Sequence, residues 1–251
     1  MINISKIAQV NTHKFVKVFS HFFVYKVQKI CYNIFKPLRK GGLYMNYIIT
    51  ISREFGSGGR AIGKKLAEDL GIPFYDKELL ELAAKNSGMC KELFESNDES
   101  YTSSFLFSLV MGNYPVTPDG RLNPEMPLNH KLFLAQFDTI KKIAEEGPCV
   151  IVGRCADYVL KKRDNVLNFF VMGNLTEKKK RILERYDIEK NKVEDFIKKT
   201  DKRRAHYYNY YTDMKWGEAK NYDLCINSSK TGIDGAVELM KAYIDIKEKI
   251  R

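Results

Sequence analysis

Residues 47–70 read YIITISREFGSGGRAIGKKLAEDL: a short β-branched run, the cluster Gly56-Ser57-Gly58-Gly59, then apolar residues at helical spacing. No other stretch constrains the fold as much. The run Tyr47–Ser52 reads as a strand, and Ile62, Leu66, Ala67 and Leu70 line one face of a helix, with Lys64, Lys65, Glu68 and Asp69 outside. Glycines at the mouth of a helix permit positive φ and close backbone approach, and the helix N-terminus adds partial positive charge. The expectation is a phosphate cradle formed by Gly56, Ser57, Gly58 and Gly59.

The pattern G-x-x-x-x-G-K-[ST] is not met, because aligning Gly58 with its second glycine puts Arg53, Gly59 and Arg60 at the other defining positions. The phosphate lysine and the magnesium hydroxyl are both replaced. Arginine holds phosphate oxygens in bidentate fashion, so Arg53 and Arg60 are candidates for the missing charge, ahead of Lys64 and Lys65.

The chain is 44% hydrophobic and 29% charged, with no run of about 18 apolar residues that would span a bilayer. The net charge of +11 suggests nucleic acid until it is divided along the chain. Residues 1–44 hold eight Lys/Arg and no Asp/Glu, which leaves 45–251 at only +3. That is too mild to argue for a nucleic-acid partner. The cysteines Cys31, Cys90, Cys149, Cys155 and Cys225 form no C-x-x-C pair, which reads as a reducing cytoplasm. His13, His21, His130 and His206 have no metal-ligand spacing, and no metal site is assigned.

Residues 1–44 alternate aromatic, aliphatic and lysine side chains, as in Phe15–Phe19 and Phe22–Lys26, and lack a secretory cleavage site. Three readings stand: a basic interfacial helix at a membrane surface, a disordered basic tail, or a segment that is not translated. The last is favoured. Lys40-Gly41-Gly42 can be encoded by a purine-rich ribosome-binding site placed just before Met45, and the first strand follows that methionine.

From Met45 strands and helices alternate, predicting one α/β domain over 45–251 with a doubly wound parallel sheet. The expected strands are Tyr47–Ser52, Ile72–Tyr75, Cys149–Val152, Val166–Met172 and Tyr222–Ile226. Helices are expected from Asp76 to about Lys85 and at about 130–146, 176–187, 190–211 and 232–248. The irregular excursion 88–128, with short helices near Lys91–Phe94 and Ser103–Met111 and a turn at Pro118-Asp119-Gly120, is of a length that is usually functional.

Ligands of such sheets bind beyond the carboxyl ends of the strands. The residues there are Arg53, Asp76, Gly153-Arg154 and Asn227-Ser228-Ser229. Asp76 is equally a helix N-cap or a ligand contact. Further along, Asp201, Arg204, Tyr208 and Tyr211 share one helical face. An arginine brought there by a mobile helix would neutralise a transferring phosphoryl group, whereas the rings have an equal claim to be packing against the sheet. Arg181 and Arg185 extend the basic face, and Lys178, Lys179 and Lys180 read as its solvated side.

Together, ITISREFGSGGRAIGKKLAEDLGIPFYDKELL, CVIVGRCADYVL, KTDKRRAHYYNYYTDMKWG and NYDLCINSS resemble the cytidylate kinase-like proteins, relatives of the P-loop nucleoside monophosphate kinases. The resemblance covers nearly all of 45–250. It implies a five-stranded parallel sheet, a nucleotide-monophosphate-binding insert at about 88–128, an arginine-bearing lid at about 188–216, and ATP with Mg²⁺. It maps a family Gly-Arg pair that contacts the acceptor onto Gly153-Arg154, and a lid Asp-x-x-Arg onto Asp201 and Arg204. Asp157, in the same run as Arg154, is counted with the acceptor-binding candidates.

Gly59, Arg60 and Val152 depart from that family's lysine, Ser/Thr and Asp. The leading expectation is an ATP-dependent kinase of a nucleoside monophosphate or another small acceptor. The alternative is a catalytically silent nucleotide-binding protein. A third class, a membrane-surface or nucleic-acid module, rests on residues 1–44 alone. Intact-mass spectrometry of the native protein is expected to find an N-terminus at Met45 or Asn46; peptides from residues 1–40 would exclude the untranslated reading.

Overall fold

The structure is a computed structural model that describes residues 46–96 and 127–250. Five parallel strands form one sheet in the order β2-β3-β1-β4-β5. They are β1 (Ile48–Arg53), β2 (Phe74–Tyr75), β3 (Cys149–Val152), β4 (Val166–Met172) and β5 (Leu224–Asn227). The helices are α1 (Gly59–Leu70), α2 (Lys77–Ser87), α3 (Lys91–Ser96), α4 (Leu128–Glu146), the single turn α5 (Ala156–Val159), α6 (Leu175–Leu183), α7 (Val193–Thr212) and α8 (Ser228–Ile250). The doubly wound five-stranded expectation is met.

Sheets covered on both faces need strands apolar on both faces. In β3, CVIV, all four residues are buried. On one face Ile49, Ile51, Val152, Phe169 and Val171 pack against Ile62 and Leu66 of α1 and against Val237 and Met240 of α8. On the other, Ile48 and Ile151 meet Leu79 of α2 and Ile140 and Ile143 of α4. A separate aromatic cluster joins Phe133 of α4 to Tyr207, Tyr208 and Tyr211 of α7.

Several boundaries move. Arg53 closes β1, paired with Val171, instead of following it. The second strand shortens to Phe74–Tyr75, and α2 runs on to Ser87. The helix expected at 176–187 is Leu175–Leu183, so Arg185 lies beyond its end and is exposed. The last strand extends to Asn227, and α8 begins at once at Ser228, bending at Gly232 where φ is 70°. The expected pieces at Ser103–Met111 and Pro118-Asp119-Gly120, and everything read from residues 1–44, lie outside the described residues. Among the described residues no helix is long and apolar enough to cross a membrane.

Phe169, fully buried in β4, meets Tyr243 of α8 edge-on at 5.7 Å between ring centroids. Phe169→Ala is expected to cost about 3–5 kcal/mol, read as a lower urea midpoint with an unchanged m-value.

Candidate active site

The loop from Glu54 to Gly58 crosses from the central strand to α1. Gly56 and Gly58 adopt φ of 78° and 82°, the left-handed region that side chains avoid. The first-turn N–H groups of α1 have no intrahelical acceptor, and no acidic residue stands in that turn to compete for them. The Ser57 hydroxyl donates to the Glu54 carbonyl at 2.8 Å, and the Gly59 N–H donates to the Ser57 hydroxyl at 3.3 Å. A Cβ on Gly58 would come within 2.7 Å of Ile233 Cδ1 on α8, so the last helix forms one wall of the loop.

Lys178 corrects the reading of 178–180 as a solvated side. Its ammonium is buried, 3.2 Å from Glu54 and 2.7 Å from Asp201. The signal was Ile182, one turn on and equally buried; both residues lie under Gly56. Lys179, by contrast, pairs with Glu194 at the surface. Glu54, which the sequence did not single out, also accepts the Gly173 N–H at 3.0 Å. Burial raises the Asp201 carboxyl above the usual carboxylate range, opposed by the Lys178 ammonium and the Phe55 N–H.

The expected convergence of Asp201, Arg204, Tyr208 and Tyr211 divides in two. Asp201 accepts the Phe55 N–H at 2.6 Å, while Arg204 donates to the Arg53 carbonyl at 3.3 Å and lies 5.5 Å from the Phe55 ring centre. Phe55 also packs against Ile182, Val193 and Ile197. The rings belong to the core instead: Tyr211 stacks on Phe133 with centroids 4.0 Å apart, and the Tyr208 hydroxyl donates to Asp157 at 2.6 Å. The helix thus contacts the residues after β1 through one half and α5 through the other.

Arg181 turns inward beneath the loop, donating to the carbonyls of Gly56 at 3.3 Å and Ser57 at 3.2 Å and to the Ser228 hydroxyl at 3.2 Å. It reaches the loop as expected, but on its carbonyl side. Arg60 is half exposed, and its Nε donates to Asp76 at 2.6 Å. Asp76 sits at the N-cap position of α2 without making a capping bond. Its carboxylate orients Arg60 instead.

After β3, Gly153, Arg154 and Cys155 take φ of 76°, 58° and 55° in succession. Two non-glycine residues held left-handed in a row store backbone strain, which clusters at functional sites. Arg154 is buried there, and Asp157 of α5 is buried facing α7. Burial raises the Asp157 carboxyl; the Tyr208 hydroxyl and nearby N–H groups oppose this. Magnesium has no protein ligand at position 60, since a guanidinium cannot coordinate it, and among the described residues no group of three His, Cys, Asp or Glu side chains is placed to hold a metal ion.

Residues 48–230 match the cytidylate kinase-like family. A cytidylate kinase from Pyrococcus horikoshii is 28% identical over 203 residues, 79% of this chain and 88% of the relative. One from Thermococcus kodakarensis matches to the same extent. A crystal structure of an uncharacterized protein from Eubacterium ventriosum is 33% identical, with a TM-score of 0.59, covering 80% of this chain and 99% of that one.

A raised folded pKa means that folding favours protonated Asp157, so its contribution to stability declines as pH rises from about 4, the ordinary carboxyl value, through the folded value. Tyr208→Phe removes a donor to the carboxylate and pushes that value higher. The variant is expected to lose about 1–3 kcal/mol at pH 8 and less at pH 5, measured by urea unfolding. An equal loss at both pH values would exclude this coupling.

Proposed function

The chain belongs to the cytidylate kinase-like family, and we propose that it moves the γ-phosphoryl group of ATP to a nucleoside monophosphate, CMP-like in kind, or to another small anionic acceptor. The observation that supports this most is a glycine loop at a helix N-terminus, preceded by Arg53, whose carbonyl accepts from Arg204 of α7 and whose guanidinium lies against Gly153. In this reading the loop amides bind the donor phosphates, Arg154 binds the acceptor, and Arg204 acts on charge that develops during transfer. Phosphoryl transfer asks for positioning and charge neutralisation more than for covalent chemistry, so arginines from separate segments are sufficient.

The insert at about 88–128 selects the acceptor in this proposal, and α7 with its flanking residues, about 188–216, serves as the lid. Asp157 contributes to the acceptor side by holding α7 through Tyr208, and Asp76 by orienting Arg60. Arg185, exposed past α6, serves the donor phosphates. Mg²⁺ enters bound to the donor's phosphates, and no step is assigned to it. We read the protein as cytoplasmic and as acting on small molecules, with neither nucleic acid nor membrane as a partner of 45–251.

Gly59, Arg60 and Val152 favour one other reading, a nucleotide-binding protein without turnover. Labelled ATP with a panel of nucleoside monophosphates and small anionic acceptors separates the two. A kinase predicts that Arg204→Ala lowers kcat by about 10²–10³-fold with ATP affinity changed far less, and that Arg154→Ala raises the acceptor's KM. Gly58→Val is expected to abolish ATP binding in a folded protein. Binding of ATP without label transfer to any acceptor would select the silent reading.

A further inference from the structure

The lysine missing at position 59 and the arginine present at position 53 are two aspects of one arrangement. A Cβ built on Gly59 would lie 2.5 Å from Arg53 Cβ and 3.1 Å from its Cγ. A lysine at 59 and the present Arg53 stem therefore exclude each other. From there the Arg53 side chain crosses to the carboxyl end of β3, where its guanidinium lies against Gly153. A Cβ on Gly153 would overlap Nη1 and stand 2.9 Å from Cζ.

Among the described residues, three further cations near the loop are directed at groups of the fold itself. Arg60 is aimed at Asp76, Lys178 at Glu54 and Asp201, and Arg181 at the loop carbonyls. Arg53 joins the donor loop to the acceptor-side Gly153-Arg154 turn. The Arg204 bond to the Arg53 carbonyl adds a second guanidinium at the same residue.

We propose that Arg53 is a catalytic residue whose guanidinium faces the transferable phosphoryl group, supplying from the end of β1 the charge that position 59 no longer provides. This rests on the kinase reading for its chemistry. In the step itself an ionised oxygen of the acceptor phosphate forms the new bond to the γ-phosphorus. The bond from that phosphorus to the β,γ-bridging oxygen breaks, and its electron pair leaves with ADP, so no proton needs removal. Arg53 donates N–H groups to the non-bridging oxygens of the group in flight. Gly59 and Gly153 are then the two positions that must lack a Cβ for the side chain to lie across the site.

The test uses the full chain and compares wild type, Arg53→Gln, Gly59→Lys and the double variant Arg53→Gly with Gly59→Lys, each checked for folding by circular dichroism and melting. The binding arm measures affinity for ADP and for a non-hydrolysable ATP analogue by calorimetry. Wild type is expected to prefer the analogue, and Arg53→Gln to lose at least tenfold of that preference while holding ADP within about threefold. The turnover arm expects each single variant to fall about 10²-fold or more, and the double variant to recover at least tenfold over either single, because the lysine then occupies the space that the arginine stem vacates.

A preference for the analogue unchanged in Arg53→Gln overturns the proposal, whatever the turnover. So does a double variant no better than the worse single, where wild type is active. Wild type that prefers the analogue, loses that preference in Arg53→Gln and phosphorylates nothing removes the kinase reading but keeps Arg53 at the γ-phosphate. Wild type that binds neither nucleotide overturns both.

Discussion

A buried ammonium holds the centre of this structure together. Lys178 is almost removed from water, and a charge so placed requires partners in the same low-dielectric space. It finds Glu54 from the loop after β1 and Asp201 from α7. Three segments distant in sequence are thereby fixed to one point. Removing one member of such a buried set costs about 3–5 kcal/mol, because the others keep their charge without compensation. Gly56 rests on the backbone of Lys178, so the same contact determines where the glycine loop lies.

With the loop fixed, the remaining positive charge is distributed around it. In place of one lysine on α1, guanidinium groups come from β1, α1, the turn after β3, α6 and α7. They are not equivalent. Arg181 supports the loop from its carbonyl side, Arg60 is directed by Asp76, and Arg154 is held in a strained turn. Fixed dipoles and charges of this kind need little reorganisation when charge appears on a ligand, which is the main source of electrostatic catalysis. The anchoring of α7 serves the same end, since Asp201 and Arg204 are already in contact with the loop.

The fold was legible where one chemical signal dominated. Cys149–Val152 is an apolar run of strand length and Val166–Met172 is one but for Asn168, and both strands occupy those residues. The glycine cluster marked the strand-to-helix turn for the same reason. Boundaries were less legible, because Arg53 reads as the start of a loop until the backbone of β4 pairs with it. The site was legible as a set of positions and not as a set of directions. Lys178 stands in a run of three lysines, and its burial depends on Glu54, 124 residues away, which no local pattern reveals. Arg60 and Asp76 were both singled out, yet their pairing follows from how α1 and the turn into α2 meet. Tyr208 and Tyr211 share a helical face with Arg204, but a face of a long helix passes over several neighbours, and theirs is the aromatic cluster of α4.

Ile233 and Ser228, which wall the glycine loop, come from α8, whereas the loop itself follows β1. In synthesis the glycines emerge first and their wall about 170 residues later. The central strand waits in the same way, since both its neighbours, β3 and β4, lie about a hundred residues downstream. Contacts this distant along the chain slow the search for the native state. A ribosome-bound chain released only as far as β4 therefore has the motif but no finished pocket. Nucleotide, which stabilises only chains able to bind it, favours those whose last helix has docked. Ligand binding in this fold thus doubles as a check that the whole domain has been assembled.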